Sequence, residues 1–251
     1  WKNGYPEYFA KVLNAVNIMG LKVSVNGKAV DLNTWEVIDF KRELDMQHGV
    51  LTRTMLLKNG AEETKIESKR FFSIVDKEIA ALQYTVTPVN FEAEIVIESY
   101  LDADVENEDS NYDEKFWLPV EHGIEERFGY VTSKTKKLDW HVTAAMITDV
   151  EGAHCEVVDG HTQYVANRFT KQAAVGEGVT VEKFVALVTN RDHEIESLLE
   201  QAMKRVHVAF ESGFDTLLAT HEAAWLHHWE EADVKIEGDV EAQQGIRFNI
   251  F

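Results

Sequence analysis

The stretch LKVSVNGKAVDL, residues 21–32, decides how the rest of the chain reads. Leu21, Val23 and Val25 alternate with polar residues, the period of a half-buried strand. Asn26-Gly27 then supplies the positive backbone angles that a tight two-residue hairpin turn needs. The device recurs outward from there. RTMLLKNGAEETKIESKRFF (53–72) is read as turning at Asn59-Gly60 and CEVVDGHTQYVANRFT (155–170) at Asp159-Gly160. AVGEGVTVEKFVALVT (174–189) sets Gly176 and Gly178 before another alternating run. ALQYTVTPV (81–89) and EAEIVIESYL (92–101) lie between them and carry the β-branched and aromatic residues that suit strands.

No crossover helices separate these runs, so the sheets are expected to be antiparallel. From Leu21 to Asn190 the strand-like region spans roughly 170 residues, against about 100 for an immunoglobulin-sized sandwich. The fold expected is mainly β, a large antiparallel two-sheet sandwich, with a barrel or jelly roll as the alternative. The longest non-periodic stretch, residues 102–128, is acidic and carries Tyr112, Phe116 and Trp117 near Pro119. It is read as a loop, either covering a sheet face or presenting those three aromatics as substrate-binding candidates that stack on sugar rings.

From Asp192 the period becomes helical. Ile195, Leu198, Leu199, Ala202 and Val206 form one stripe, and Phe214, Leu217, Leu218, His221, Trp225 and His228 a second. Asp192 is read as the N-cap and Gly213 as a joint between two helices or a weak spot in one. ADVKIEGD (232–239) reads as a short strand or extended segment, after which Asp239 caps a further helix. That helix reaches Ile250-Phe251 without a Gly, Asn or basic last turn. The first residues, WKNGYPEYF, carry no initiator Met and no signal-like apolar core. The chain is therefore expected to be a piece of a longer one.

Composition excludes several function classes. The formal charge of −19, from 25 basic and 44 acidic residues, repels phosphate backbones and anionic lipid. Nucleic acid and membrane are not expected partners, whereas a neutral sugar is not penalised. The single cysteine, Cys155, rules out an internal disulfide. His221 and His228 are two helical turns apart, too far for zinc ligands on one helix, and HEAAW (221–225) does not complete H-E-x-x-H because Trp225 takes the second His position. No nucleophile elbow or phosphate-binding glycine loop occurs, and the acids form no distinctive local motif. Neither a catalytic set nor a metal site is expected within these residues.

Three separated blocks, RELDMQHGVLTR (42–53), IESKRFFSIVDKEIAALQYTVTP (66–88) and WEEADVKIEGDVEAQQGIRFNIF (229–251), resemble glycoside hydrolase family 65. Asp45-Met46, the run Gly49-Val50-Leu51-Thr52-Arg53 and Gln244-Gly245-Ile246-Arg247-Phe248 are most similar to its maltose phosphorylase branch. The resemblance implies a galactose-mutarotase-like super-β-sandwich over 1–190, a helical linker over 191–229, and the start of an (α/α)6 catalytic barrel over 230–251. It implies that the whole enzyme cleaves maltose or a related α-glucosyl disaccharide by inverting phosphorolysis, with inorganic phosphate as co-substrate and no other cofactor. The catalytic glutamate would then lie beyond residue 251. The partners implied are the chain's own downstream barrel, the disaccharide and a second copy in a homodimer. The location implied is the cytoplasm, with the periplasm left open. Two other readings stand beside this one: a family 65 inverting hydrolase, and a carbohydrate-binding module.

Overall fold

The computed structural model describes residues 12–108 and 114–251. Among them are thirteen strands: β1 (Asn17–Val25), β2 (Lys28–Ala29), β3 (Glu36–Asp45), β4 (Val50–Asn59), β5 (Glu62–Phe72), β6 (Ile79–Pro88), β7 (Ala93–Asp102), β8 (Trp117–Glu125), β9 (Phe128–Thr135), β10 (His141–Val150), β11 (His154–His161), β12 (Tyr164–Ala173) and β13 (Val179–Thr189). They form a five-stranded sheet, β11-β12-β7-β1-β2, and an eight-stranded sheet, β3-β4-β5-β6-β13-β10-β9-β8. Every pairing is antiparallel. The two-sheet sandwich expected from the alternating runs is the fold observed.

Strand β13 shows why the layers stack as they do. Val179, Val181 and Val185 face the smaller sheet, whereas Phe184, Ala186 and Val188 face the opposite way. A strand buried on both sides needs a third layer, and α1 (Leu198–Ser212) supplies it. Leu198, Ala202, Val206 and Ala209 pack with Phe184, Ala186 and Phe71 on the outer face of the larger sheet. The helical stripe read from the sequence is this buried face. Gly213, with φ 76°, separates α1 from α2 (Phe214–Ala232), as expected of a joint.

Three expectations shift. The hairpin between β11 and β12 turns at Thr162-Gln163, and Gly160 lies inside β11, where the register slips between Val158 and His161. A Cβ at Gly160 would collide with the Tyr164 carbonyl, so that glycine serves close backbone approach. Residues 117–125 are strand β8, not loop. As an edge strand it is mostly exposed on both faces, so it lacks the alternation that marks its neighbours. Pro119 is tolerated at that edge, next to a register slip. Asp192 caps no helix: it lies in the turn by which the chain leaves β13, its N–H bonded to the Thr189 carbonyl, and Glu194 is the residue that precedes the first helical turn. A 3-10 turn at Ile195–Ser197 intervenes, and α1 begins only at Leu198. Residues 233–239 are irregular, the extended alternative of the two read there.

Asp239 does cap α3 (Val240–Ile250), accepting from the Ala242 N–H at 2.9 Å. One helix is all that residues 230–251 add beyond the end of α2, and no barrel is visible among the described residues.

Candidate functional site

Two concave regions stand out, and both involve the β3–β4 hairpin. The first lies where that hairpin's tip meets α2. Asp45 shapes the tip: Oδ1 accepts from the N–H groups of Gln47 and His48, and Oδ2 lies 2.7 Å from His48 Nδ1. Burial works against ionisation of Asp45, but the hydrogen bonds from His48 prevail and hold its carboxyl below the ordinary range. Gly49 closes the turn at φ 69°, and a Cβ there would strike the rings of Trp225 and His221. His221 is buried, with Nδ1 3.2 Å from the Ile74 N–H and Nε2 3.0 Å from the Gly49 carbonyl. Trp229 Nε1 donates to the Met46 carbonyl at 2.8 Å.

The three aromatic anchors of α2 therefore clasp one backbone turn. Trp225 stacks with Trp229 and with Phe251, with centroids 6.2 and 4.8 Å away. Arg247 reaches back from α3 to Asp233 through two bonds of 2.9 and 2.8 Å. A hollow of about 520 Å³ lies between residues 43–47, Trp229, Asp233 and Arg247. Of the clustered histidines, His221 is the docking group. His227 and His228 are exposed.

The second concavity is the mouth of the sandwich, lined by β1 of the smaller sheet and by β3, β4, β5 and β6 of the larger. Its inner wall carries Arg42 on β3, Arg53 on β4 and Arg70 on β5, with Ser68 and Tyr84 beside them. Arg42 and Arg53 are direct cross-strand partners, and Ser68 is the partner of Arg53 on its other side. The cavity is about 410 Å³. Sequence reading passed over this group because its members meet only when three strands pair.

The aromatics proposed from the sequence sit elsewhere. Tyr112 lies outside the described residues. The Phe116 carbonyl accepts from Lys136 N at 3.0 Å. Trp117, the first residue of β8, packs partly buried against the cluster holding Val16 and Ile18, and its Nε1 donates to the Asn14 carbonyl at 2.7 Å. Among the described residues no group of three or more His, Cys, Asp or Glu side chains is placed to hold a metal ion.

Comparison with known proteins sets these features in a family. The model of the glycosyl hydrolase family 65 N-terminal domain matches residues 1–228. Over 100% of its length the chain is 38% identical to a maltose phosphorylase of Bacillus subtilis strain 168, covering 33% of that protein. It is 32% identical to a kojibiose phosphorylase of Thermoanaerobacter brockii, over 96% of this chain and 33% of the relative. A solved structure assigned to kojibiose phosphorylase, from human microbiome, superposes with a TM-score of 0.85 at 21% identity, covering 95% of this chain and 31% of that one. That likeness establishes the shared fold. The chain spans about a third of the length of the curated relatives it matches. With its sandwich, its helical layer and this match across most of its length, the chain belongs to glycosyl hydrolase family 65 and carries that family's N-terminal domain.

Proposed function

We propose that this chain is the non-catalytic N-terminal part of a family 65 phosphorylase whose full-length form acts on maltose. The observation that carries the reading is the 38% identity to a maltose phosphorylase over the whole chain, against 32% and 30% to kojibiose and trehalose phosphorylases over nearly the same span. In this reading residues 1–190 are the supporting sandwich, 191–229 the linker and 230–251 the approach to the catalytic barrel. The clasp of α2 on the Asp45–Gly49 turn supports a bracing role, since it ties the helical arm to the sandwich through backbone atoms that no side-chain change in the turn removes. The full-length protein is read as a cytoplasmic homodimer.

The chemistry of the full-length enzyme would be inverting. A carboxylic acid protonates the glycosidic oxygen while phosphate attacks the anomeric carbon from the opposite face, releasing glucose and β-glucose 1-phosphate. The test is to incubate the full-length protein with maltose, with and without inorganic phosphate, and follow both products. Phosphate-dependent formation of β-glucose 1-phosphate is expected, and the 251-residue chain alone is expected to be inert. Cleavage at the same rate without phosphate would make the parent a hydrolase. Turnover by the isolated chain would end the non-catalytic reading.

A further inference from the structure

We propose that the mouth of the sandwich binds a phosphate-type oxyanion through Arg42, Arg53 and Arg70. Like charges directly opposite each other on neighbouring strands are destabilising, and Arg42 and Arg53 are such a pair. Arg70 extends the cluster on the next strand, where its strand partner on β4 is Leu51, two residues before Arg53. On a chain with 44 acidic against 25 basic residues, a trio of cations with no carboxylate partner is unexpected; the Tyr84 ring, 6.0 Å from the Arg53 guanidinium, is the aromatic face beside it. Two of the basic residues that alternate with these arginines toward the other face of the same strands have acidic partners, Lys41 with Glu43 and Lys65 with Glu67, while Lys58 and Lys69 form no ion pair among the described residues. Among the described residues the three arginines form no ion pair, and Arg53 Nε is buried with no hydrogen-bond partner.

The carboxylate lining the cavity, Asp31, is occupied locally, its Oδ1 accepting from the backbone and side-chain nitrogens of Asn33 at 2.9 Å each. Burial and then the charges of Arg53 and Arg42 hold the Arg70 guanidinium below its ordinary range, as expected where cations face each other without an anion. An arriving dianion would relieve that repulsion. Guanidinium forks match phosphate oxygens in bidentate geometry, and three positive charges suit a dianion better than a monoanionic carboxylate. The hydroxyls of Ser68 and Tyr84 add donors beside the cluster. At about 410 Å³ the cavity falls within the range of about 300–1,000 Å³ typical of small-molecule sites, larger than one phosphate fills. Leu21, Val23 and Met55 give the remaining wall an apolar character. The ligand class is inorganic phosphate or a compact phosphomonoester.

The test is calorimetric titration and thermal unfolding of the 251-residue chain in a low-salt chloride buffer, with inorganic phosphate, a hexose phosphate and the neutral hexose. Saturable binding and a raised Tm are expected with phosphate or hexose phosphate, and neither with the hexose. Tighter binding of the hexose phosphate would identify the ester as the ligand, and equal binding would identify the phosphate group alone. Arg42→Gln and Arg70→Gln alter exposed side chains, and each is expected to weaken binding about tenfold, the scale of one charge-assisted pair. Their Tm without phosphate should match or exceed that of the parent, because a like-charge contact is removed. A lowered Tm in both variants would assign the arginines a structural role and overturn the proposal. So would the absence of saturable phosphate binding, or affinity unchanged in both variants.

Discussion

His221 Nε2 donates to the carbonyl of Gly49, 3.0 Å away, on a turn distant in sequence. The assignment of donor follows from the other ring nitrogen. Nδ1 faces the Ile74 N–H at 3.2 Å and must accept, so the proton sits on Nε2 and the imidazole is neutral. One ring thus satisfies two backbone groups belonging to two separate connections of the large sheet, β3–β4 and β5–β6. Phe71 packs against the same ring with centroids 4.7 Å apart.

The first prediction concerns pH. Burial holds His221 below its ordinary value, outweighing the hydrogen bonds that favour the charged form. Protonation would also set an N–H against the Ile74 N–H. The unfolded chain therefore takes up the proton first, and stability falls as pH drops below about 6.5, levelling only beneath the lowered folded-state pKa. Above about 6.5 both states are neutral and this contribution is constant. Urea midpoints between pH 8 and pH 5 should fall more steeply for the natural chain than for His221→Gln. Parallel slopes would refute the neutral assignment.

At neutral pH the same residue tests the clasp itself. His221→Ala leaves the Ile74 N–H and the Gly49 carbonyl without partners and opens a cavity beside Phe71, a loss of about 2–4 kcal/mol. Gly49→Ala should cost at least on the order of 2 kcal/mol, since φ 69° strains any L side chain and the new methyl meets Trp225 and His221. Both variants should also shift tryptophan emission as Trp225 leaves its stack. A Gly49→Ala protein with unchanged stability and spectrum would remove the docking turn from the account.

How far these features were legible follows from where their information is stored. Asn26-Gly27 was readable because its turn requires positive φ at both residues, found at 50° and 74°. Asp159-Gly160 has the same chemistry but a different use, a bulge against Tyr164, which nothing local distinguishes. Strand β8 escaped because an edge exposed on both faces carries no alternation. The second helical stripe was correct in register, with Phe214 and His221 buried, yet its purpose was hidden. His221 falls on that stripe, and its partners Gly49 and Ile74 come close only after the sheet forms. The arginine trio is invisible for the same reason: cross-strand neighbours are set by register, not by spacing along one strand.

Trp117 offers a test of the sugar-stacking expectation. Its indole N–H is engaged by the Asn14 carbonyl and its ring is half buried against the core. Trp117→Phe should keep most of the packing and lose one hydrogen bond, about 1 kcal/mol of stability. Titrating maltose or longer glucans into the natural chain should leave tryptophan emission flat to high millimolar sugar. A saturable response abolished in Trp117→Phe would instead establish a carbohydrate-binding surface at β8.

The last prediction concerns Lys183, which is 0% exposed between the two sheets. Its Nζ donates to the carbonyls of Tyr100 and Gly20, at 2.7 and 3.1 Å. Burial lowers its pKa from 10.5 to about 7. From about pH 7 to about 10.5 the unfolded chain therefore holds a proton that the folded chain has lost, so this group makes stability rise with pH. The rise is bounded by about 1.4 kcal/mol per pH unit, and above both values it ends. Lys183→Met removes the titration but strands two carbonyls at an irregular point of the β1–β7 ladder, where the register slips between Asn17 and Gly20. The variant should thus be less stable than the natural chain at high pH, where the neutral amine still donates, and the difference should shrink toward pH 7. Guanidinium unfolding of both proteins at pH 7.5 and 9.5 measures that change, expected at about 2–3 kcal/mol. A stability difference that is constant across this range would mean the buried amine keeps its proton, held as an ammonium by the two carbonyls and the Tyr100 ring 5.9 Å away.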